Sequence, residues 1–384
     1  MPDAVPVLLL STGTRGYGTA RAPRSLARAG FDVTLLTPRG TLAESSRFVS
    51  RVAHLPERVT QLEWIHAVAA TVRAIAPALV IPCDDMSFRL LATLAIAPPP
   101  QMQAALQQSL ASLVRESLGD PSHYLRTIDR TLLPDAAIAA GVPVPNHAVV
   151  GALEGAVAFA ARHGYRVVLK RAMPGGDAVR VADDEPTVAT AFRALTPQAA
   201  ADDDVPAGRL LLVQQRIDGA LIRQSVAAWR GRYLAGYATE RLAEPTAPAA
   251  PASVVRHVHS LPLRDMAARL VEAFGITGLV EVEFVIDPST QTPLLIGINR
   301  RIGRCMHVGT TINVDLGAAL RAAMADEPSA SRSRLDDAEA RTSVQFPAEW
   351  LRDPGSPWLR KHPVDVPWDD PELFDAMLAL RAAG

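Results

Sequence analysis

Residues 279–299, LVEVEFVIDPSTQTPLLIGIN, carry oxygen-bearing side chains at a spacing that could hold a divalent cation. Strand alternation sets Val282, Phe284 and Ile286 on one face and Glu281 and Glu283 on the other. In the second run Ile296 and Ile298 are apolar, while Gly297 and Asn299 face the opposite way. With a turn centred near Thr290, Glu283 falls opposite Gly297, and Glu281 falls opposite Asn299. Two carboxylates and an amide oxygen then share one patch, and such hard oxygen ligands suit Mg²⁺. The competing reading is the solvated polar face of an edge hairpin, and the pattern alone leaves both open.

A second candidate is RVVLKRAMPGGDAVRV, residues 166–181. The chain has only two lysines, Lys170 and Lys361, against a background of arginine, so a lysine at the end of an apolar strand stands out. Gly175 and Gly176 permit a backbone arch whose N–H groups can wrap phosphate oxygens. One ammonium plus several amides suits a polyphosphate, although two glycines after a strand also describe an ordinary hairpin turn. The helix-borne GK[ST] of a Walker loop is missing.

Near the N-terminus, STGTRGYG carries Gly13, Gly16 and Gly18 between a strand and a helix, as in a dinucleotide fingerprint. The next strand ends in Thr37-Pro38 with no acid to hold a ribose, which disfavours NAD. The loop is left as a contact for phosphate or a small substrate, or as a structural turn. Asp84 and Asp85 follow a strand at the edge where ligands collect in such sheets, and a helix N-cap is the alternative for one of them. His257 and His259 alternate along RHVHS, where structural histidines are commoner than metal ligands.

The elements that must position these residues follow from short apolar runs and turn residues. Runs at 6–10, 32–37 and 79–82 read as buried parallel strands, with helical patterns at 19–29 and 62–75 between them, so the N-terminal part is an open doubly wound α/β domain. Residues 121–140 read as a polar linker and a helix broken at Pro134. Strands are expected at 165–170, 210–214, 223–229 and 232–240, a helix at 261–274, and a hairpin at 279–286 and 293–299. The segment 243–253 is Pro/Ala-rich and irregular.

A net charge of −1 and a pI near 6.8 give no basic surplus to release counterions from nucleic acid. No apolar run reaches the roughly 18 residues of a membrane span, and MPDAVPVLLLST reads as a buried strand rather than a signal peptide. Cys83 and Cys305 have no CxxC spacing. A cytoplasmic protein without nucleic-acid or membrane partners is expected.

The order of strand, Lys170 and glycine arch, then LVQQRIDG, then VEFVID…LLIGINRR resembles the ATP-grasp superfamily. DRTLLPDAAIAAGVPVP resembles the segment before the lid in biotin carboxylases and carbamoyl-phosphate synthetases, and APASVVR is similar to a phrase of stand-alone ATP-grasp proteins. The likeness covers about residues 5–345. It implies a doubly wound pre-ATP-grasp α/β domain (1–120), a linker helix and lid (121–212), an ATP-grasp body with the metal-binding hairpin (213–345) and a C-terminal tail packed on the body (346–384).

The same resemblance implies roles for individual residues. Lys170 would contact the α- and β-phosphates, with Gly175 and Gly176 in the closing loop, and Arg130 would contact phosphate. Gln214, Gln215, Arg216 and Ile217 form the hinge beside adenine, and Asp218 would reach the ribose. Glu283 and Asn299 would hold Mg²⁺ or Mn²⁺, and Arg301 would be the catalytic arginine. The departure is Gly297, which stands where a metal-bridging Glu is usual. Glu281, on the same face, is the candidate to supply the missing charge. The implied activity is an ATP-dependent ligase that joins a small-molecule carboxylate to an amine through an acyl phosphate, in a chain that could be a homodimer. The alternative is a degenerate ATP-grasp protein that binds nucleotide without turnover.

Overall fold

Leu8, Leu9 and Leu10 are wholly buried in β1 (Val5–Leu10), the centre of the first sheet. In a computed structural model, which describes residues 4–380 apart from 14–15, 57–59, 174–177, 197–209, 244–251 and 328–341, this strand pairs in parallel with two others. They are β2 (Phe31–Thr37) and β4 (Leu79–Pro82), and β3 (Arg51–His54) completes the order β3-β2-β1-β4. Continuous apolar runs suit strands covered on both faces, and these are the runs expected at 6–10, 32–37 and 79–82. Helix α1 (Tyr17–Arg28) follows β1 directly and buries Ala20, Ala22 and Leu26 against the sheet core.

The chain divides into two compact units. The first comprises Met1–Pro121, Arg223–Val282 and Asn299–Gly384, and the second Ser122–Ile222 and Glu283–Ile298.

The second unit contains the antiparallel sheet of β5 (His147–Val150), β6 (Val167–Arg171), β7 (Val179–Ala182) and β8 (Leu211–Gln215), ordered β5-β8-β6-β7. Its alternating pattern splits the faces. Val167, Leu169, Leu211 and Val213 join a core with Phe159 and Val188 from the helices Leu153–Arg162 and Glu185–Leu195. Lys170, Leu212 and Gln214 therefore point to the other face.

The expectation of a helix broken at Pro134 is corrected. Short helices occupy Tyr124–Ile128 and Leu133–Ala139, and Pro134 stands in the first turn of the second. A missing N–H costs nothing there, and the fixed φ suits helix initiation, so the proline starts a helix.

The remaining strands are β9 (Leu221–Trp229), β10 (Arg232–Arg241), β11 (Val254–Val258), β12 (Gly278–Ile286), β13 (Pro293–Asn299) and β14 (Thr342–Val344). Their order is β13-β12-β9-β10-β11-β14. The strands β12 and β13 are the hairpin expected from the sequence. In the first unit the C-terminal segment is tied down by charge. Arg24 bonds Asp369 at 2.7 Å, and Asp370 accepts from Ser46 Oγ at 2.6 Å.

Candidate functional site

In the second unit Lys170 brings Arg130, Gln214 and Glu283 together. Its Nζ donates to Gln214 Oε1 at 2.8 Å and to the Ile296 carbonyl at 3.1 Å. The register explains the first bond, because Lys170 pairs with Leu212 and Val168 pairs with Gln214. Lys170 and Gln214 are thus diagonal neighbours on one face. Burial pushes the ammonium down to about 8, Arg130 adds to the depression, and Glu283 opposes it. The Arg130 amide donates to Ala172 O at 2.8 Å, which fixes that arginine beside the end of β6. Arg130, Val144, Leu212, Gln214, Leu295 and Ile296 line a recess with apolar walls and a cationic edge.

The other lid and hinge candidates divide. Gln215 is bound to Asn146, through its amide at 2.8 Å and its side chain at 2.9 Å. Arg216 pairs with Asp183 and Asp218, both at 2.9 Å, and Asp218 also pairs with Arg166. Ile217 is half-buried between them. Of these, only Gln214 joins Lys170. Gly175 and Gly176 lie outside the described residues.

On the hairpin, a Cβ built at Gly297 would stand 3.2 Å from Glu283 Oε2. Asn299 Nδ2 lies 3.4 Å from Glu281 Oε1. Glu283 near Gly297 and Glu281 near Asn299 is the pairing the sequence suggests. The missing side chain at Gly297 thus lets the Glu283 carboxylate lie close against that position, while Glu281 Oε1 is engaged elsewhere. Glu281 is 4% exposed, its Oε1 faces Arg223 Nε at 3.7 Å, and its buried Oε2 has no hydrogen-bond partner among the described residues. No group of three or more His, Cys, Asp or Glu poised to hold a metal occurs among the described residues.

In the first unit, Ile302 N donates to Pro82 O at 3.0 Å, which docks the segment after β13 onto the end of β4. Arg301 is thereby brought to Asp85, with Nε donating at 2.8 Å. Asp84 caps the helix Asp85–Ile96 by accepting from Ser87 N at 2.7 Å. The same carboxylate accepts from Thr12 N at 2.5 Å, Thr12 Oγ1 at 2.8 Å and Gly13 N at 3.2 Å. The start of the glycine loop is thus bound by the protein's own carboxylate.

Sequence reasoning missed two arginines. Arg300 is 3% exposed, donates to Leu118 O and lies over the Phe88 ring, centroid distance 5.1 Å. Arg304 lies over Tyr17 at 5.0 Å. Both partners are remote in sequence, and an arginine carries no pattern that announces one. His257 is fully buried and contacts Thr311, whereas His259 is exposed.

No family model and no curated protein matches the chain. Solved structures do, and they are ATP-grasp proteins, so the chain has the ATP-grasp fold. The biotin carboxylase domain of 2-oxoglutarate carboxylase from Hydrogenobacter thermophilus, solved with MgADP, ADP and bicarbonate, matches at TM-score 0.62 and 15% identity, over 84% of this chain and 70% of that one. The L-amino acid ligase from Bacillus licheniformis matches at TM-score 0.59 and 15% identity, over 89% and 79%. The N5-carboxyaminoimidazole synthase from Aspergillus clavatus, in complex with ADP and 5-aminoimidazole ribonucleotide, matches at 0.60 and 17%, over 87% and 80%. No helix among the described residues is long and apolar enough to cross a membrane.

Proposed function

We propose that the chain is an ATP-dependent carboxylate–amine ligase. In this reaction the γ-phosphoryl group of ATP passes to a carboxylate oxygen, releasing ADP. An amine then attacks the acyl phosphate, with loss of inorganic phosphate and a proton. The observation that carries the reading is the buried Lys170 ammonium, which donates to Gln214 and to the Ile296 carbonyl, two residues that line a recess together with Arg130, Leu212 and Leu295. A cation held out of water gains most from an anion that replaces its lost hydration, and a polyphosphate is such an anion.

Lys170 and Arg130 bind and orient the phosphates, and Gln214 holds Lys170 in position. Gln215, Arg216, Ile217 and Asp218 are proposed to bound the nucleoside, with Gly175 and Gly176 near the phosphates. Arg301, oriented by Asp85, is proposed to meet the charge that develops on the transferred group.

The residues fit one Mg²⁺ or Mn²⁺ ion. Glu283 and Asn299 would supply oxygen donors, and Glu281, on the strand of Glu283, keeps a buried oxygen with no hydrogen-bond partner among the described residues. Bound there, the ion would neutralise phosphate charge. Gly297 removes the donor that would bridge a second ion, and it favours a second reading, nucleotide binding without turnover.

The test is ADP release from Mg·ATP against panels of carboxylic acids and amines. Release that needs both an acid and an amine supports the ligase. Saturable ATP binding with no release across the panels supports the second reading.

A further inference from the structure

Arg304 is the one arginine of the loop after β13 with no hydrogen bond or ion pair among the described residues. Arg300 and Arg301 are both engaged. Its side chain is half-buried, and the guanidinium lies over the ring of Tyr17, the first residue of α1, 5.0 Å from the ring centre. Gly18 makes the arrangement possible. A Cβ there would stand 2.8 Å from Gly303 O and 3.0 Å from Arg304 Cα, so the first turn of α1 rests directly on the Gly303–Arg304 backbone. That end of α1 has no side-chain cap and no acidic residue in its first turn. The helix dipole therefore adds positive potential beside the guanidinium.

Among the described residues the remaining charges near Arg304 are Arg223 and Glu281, which face each other at 3.7 Å. Burial is the largest cause holding Arg304 down at about 10, and the nearby Glu281 offsets it only in part. Among the described residues, and with no metal bound, two arginines and one glutamate leave a single net positive charge. A singly charged carboxylate matches that balance and the two-pronged edge of a guanidinium, whereas a phosphate dianion would meet repulsion from buried Glu281.

We propose that Arg304, lying over Tyr17 at the N-terminus of α1, anchors the carboxylate of a small organic acid, with Arg223 as its neighbour. That this acid is the enzyme's substrate rests on the ligase reading above; the anchor itself does not.

Thermal melting of the full chain tests it, with acetate, succinate, L-glutamate or inorganic phosphate titrated at constant ionic strength, and with Mg·ATP in parallel. At least one carboxylate should raise the melting temperature saturably. Arg304→Gln should weaken that effect by roughly tenfold or more, and Arg304→Lys by less. Tyr17→Leu, which keeps the charge but removes the platform, should fall between wild type and Arg304→Gln, and it serves if Arg304→Gln does not fold. The Mg·ATP shift should be the same in every variant. Equal carboxylate protection of wild type and variants, protection by none of the carboxylates, or a stronger Arg304-dependent effect of phosphate would overturn the proposal. Arg304-dependent carboxylate binding in a chain that ignores Mg·ATP would leave the anchor standing and remove the ligase reading.

Discussion

Lys170 Nζ sits 2.8 Å from Gln214 Oε1, on the sheet face away from the helices Leu153–Arg162 and Glu185–Leu195. A buried ammonium given a neutral amide, a carbonyl and a neighbouring arginine is incompletely compensated, and its depression to about 8 expresses that. Below pH 8 the group is protonated in both folded and unfolded chains, so its cost to folding is fully present. Between about 8 and 10.5 only the unfolded chain keeps the proton, and stability rises with pH. Each unit between the two values is worth about 1.4 kcal/mol, so the rise sums to about 3 kcal/mol. Urea unfolding across this window should show that gain in wild type relative to Lys170→Met. Parallel pH profiles for the two proteins would refute it.

At Gly297 a Cβ would meet only Glu283 Oε2 among the described residues, at 3.2 Å, and the backbone lies outside the left-handed region, so a side chain is tolerated once Glu283 yields by a few tenths of an ångström. In Gly297→Glu two carboxylates crowd each other, and like charges at such range repel. The variant should melt below wild type in EDTA and recover on adding Mg²⁺, while nucleotide-free wild type responds little. A variant indifferent to Mg²⁺ would count against the hairpin as a metal site.

At Gly18 two effects compete. Alanine in a helix gains about 0.5–1 kcal/mol over glycine, while forcing atoms into a filled space costs typically 1–3 kcal/mol. With Gly303 O only 2.8 Å from the new Cβ and belonging to backbone, the clash wins. Gly18→Ala should lose about 1–2 kcal/mol by denaturant unfolding. A stabilised variant would show that α1 is not seated on Gly303.

Asp84 joins a helix cap to the Ser11–Gly13 turn through one carboxylate. Asp84→Ala should cost about 2–4 kcal/mol, the cap and the charged hydrogen bonds together. Asp84→Asn keeps an acceptor and should cost less. The reverse order in equilibrium unfolding would contradict the shared role.

Local rules made much of this legible. The alternation of VEVEFVI and LLIGIN, with proline and polar residues between them, is enough to place the hairpin and to set Glu283 near Gly297. Continuous apolar runs suffice for β1, β2 and β4. Pro134 was misread because a proline inside a helical pattern marks either an interruption or a first turn, and only the chain before it decides. The site resisted for a different reason. Gln214 as the partner of Lys170, Asp85 as the partner of Arg301 and Tyr17 as the seat of Arg304 are set by strand pairing and packing across 44, 216 and 287 positions, where no periodicity reaches.

Calorimetric titration of ATP into the full chain with Mg²⁺ at pH 7, comparing wild type with Lys170→Met, addresses the central claim most directly. Saturable binding in wild type, weakened roughly tenfold or more in the variant, is the expected result, since one charged hydrogen-bonded contact contributes about 1.5–3 kcal/mol. Equal affinities, or no binding to wild type, would contradict the assignment of Lys170 to a nucleotide phosphate.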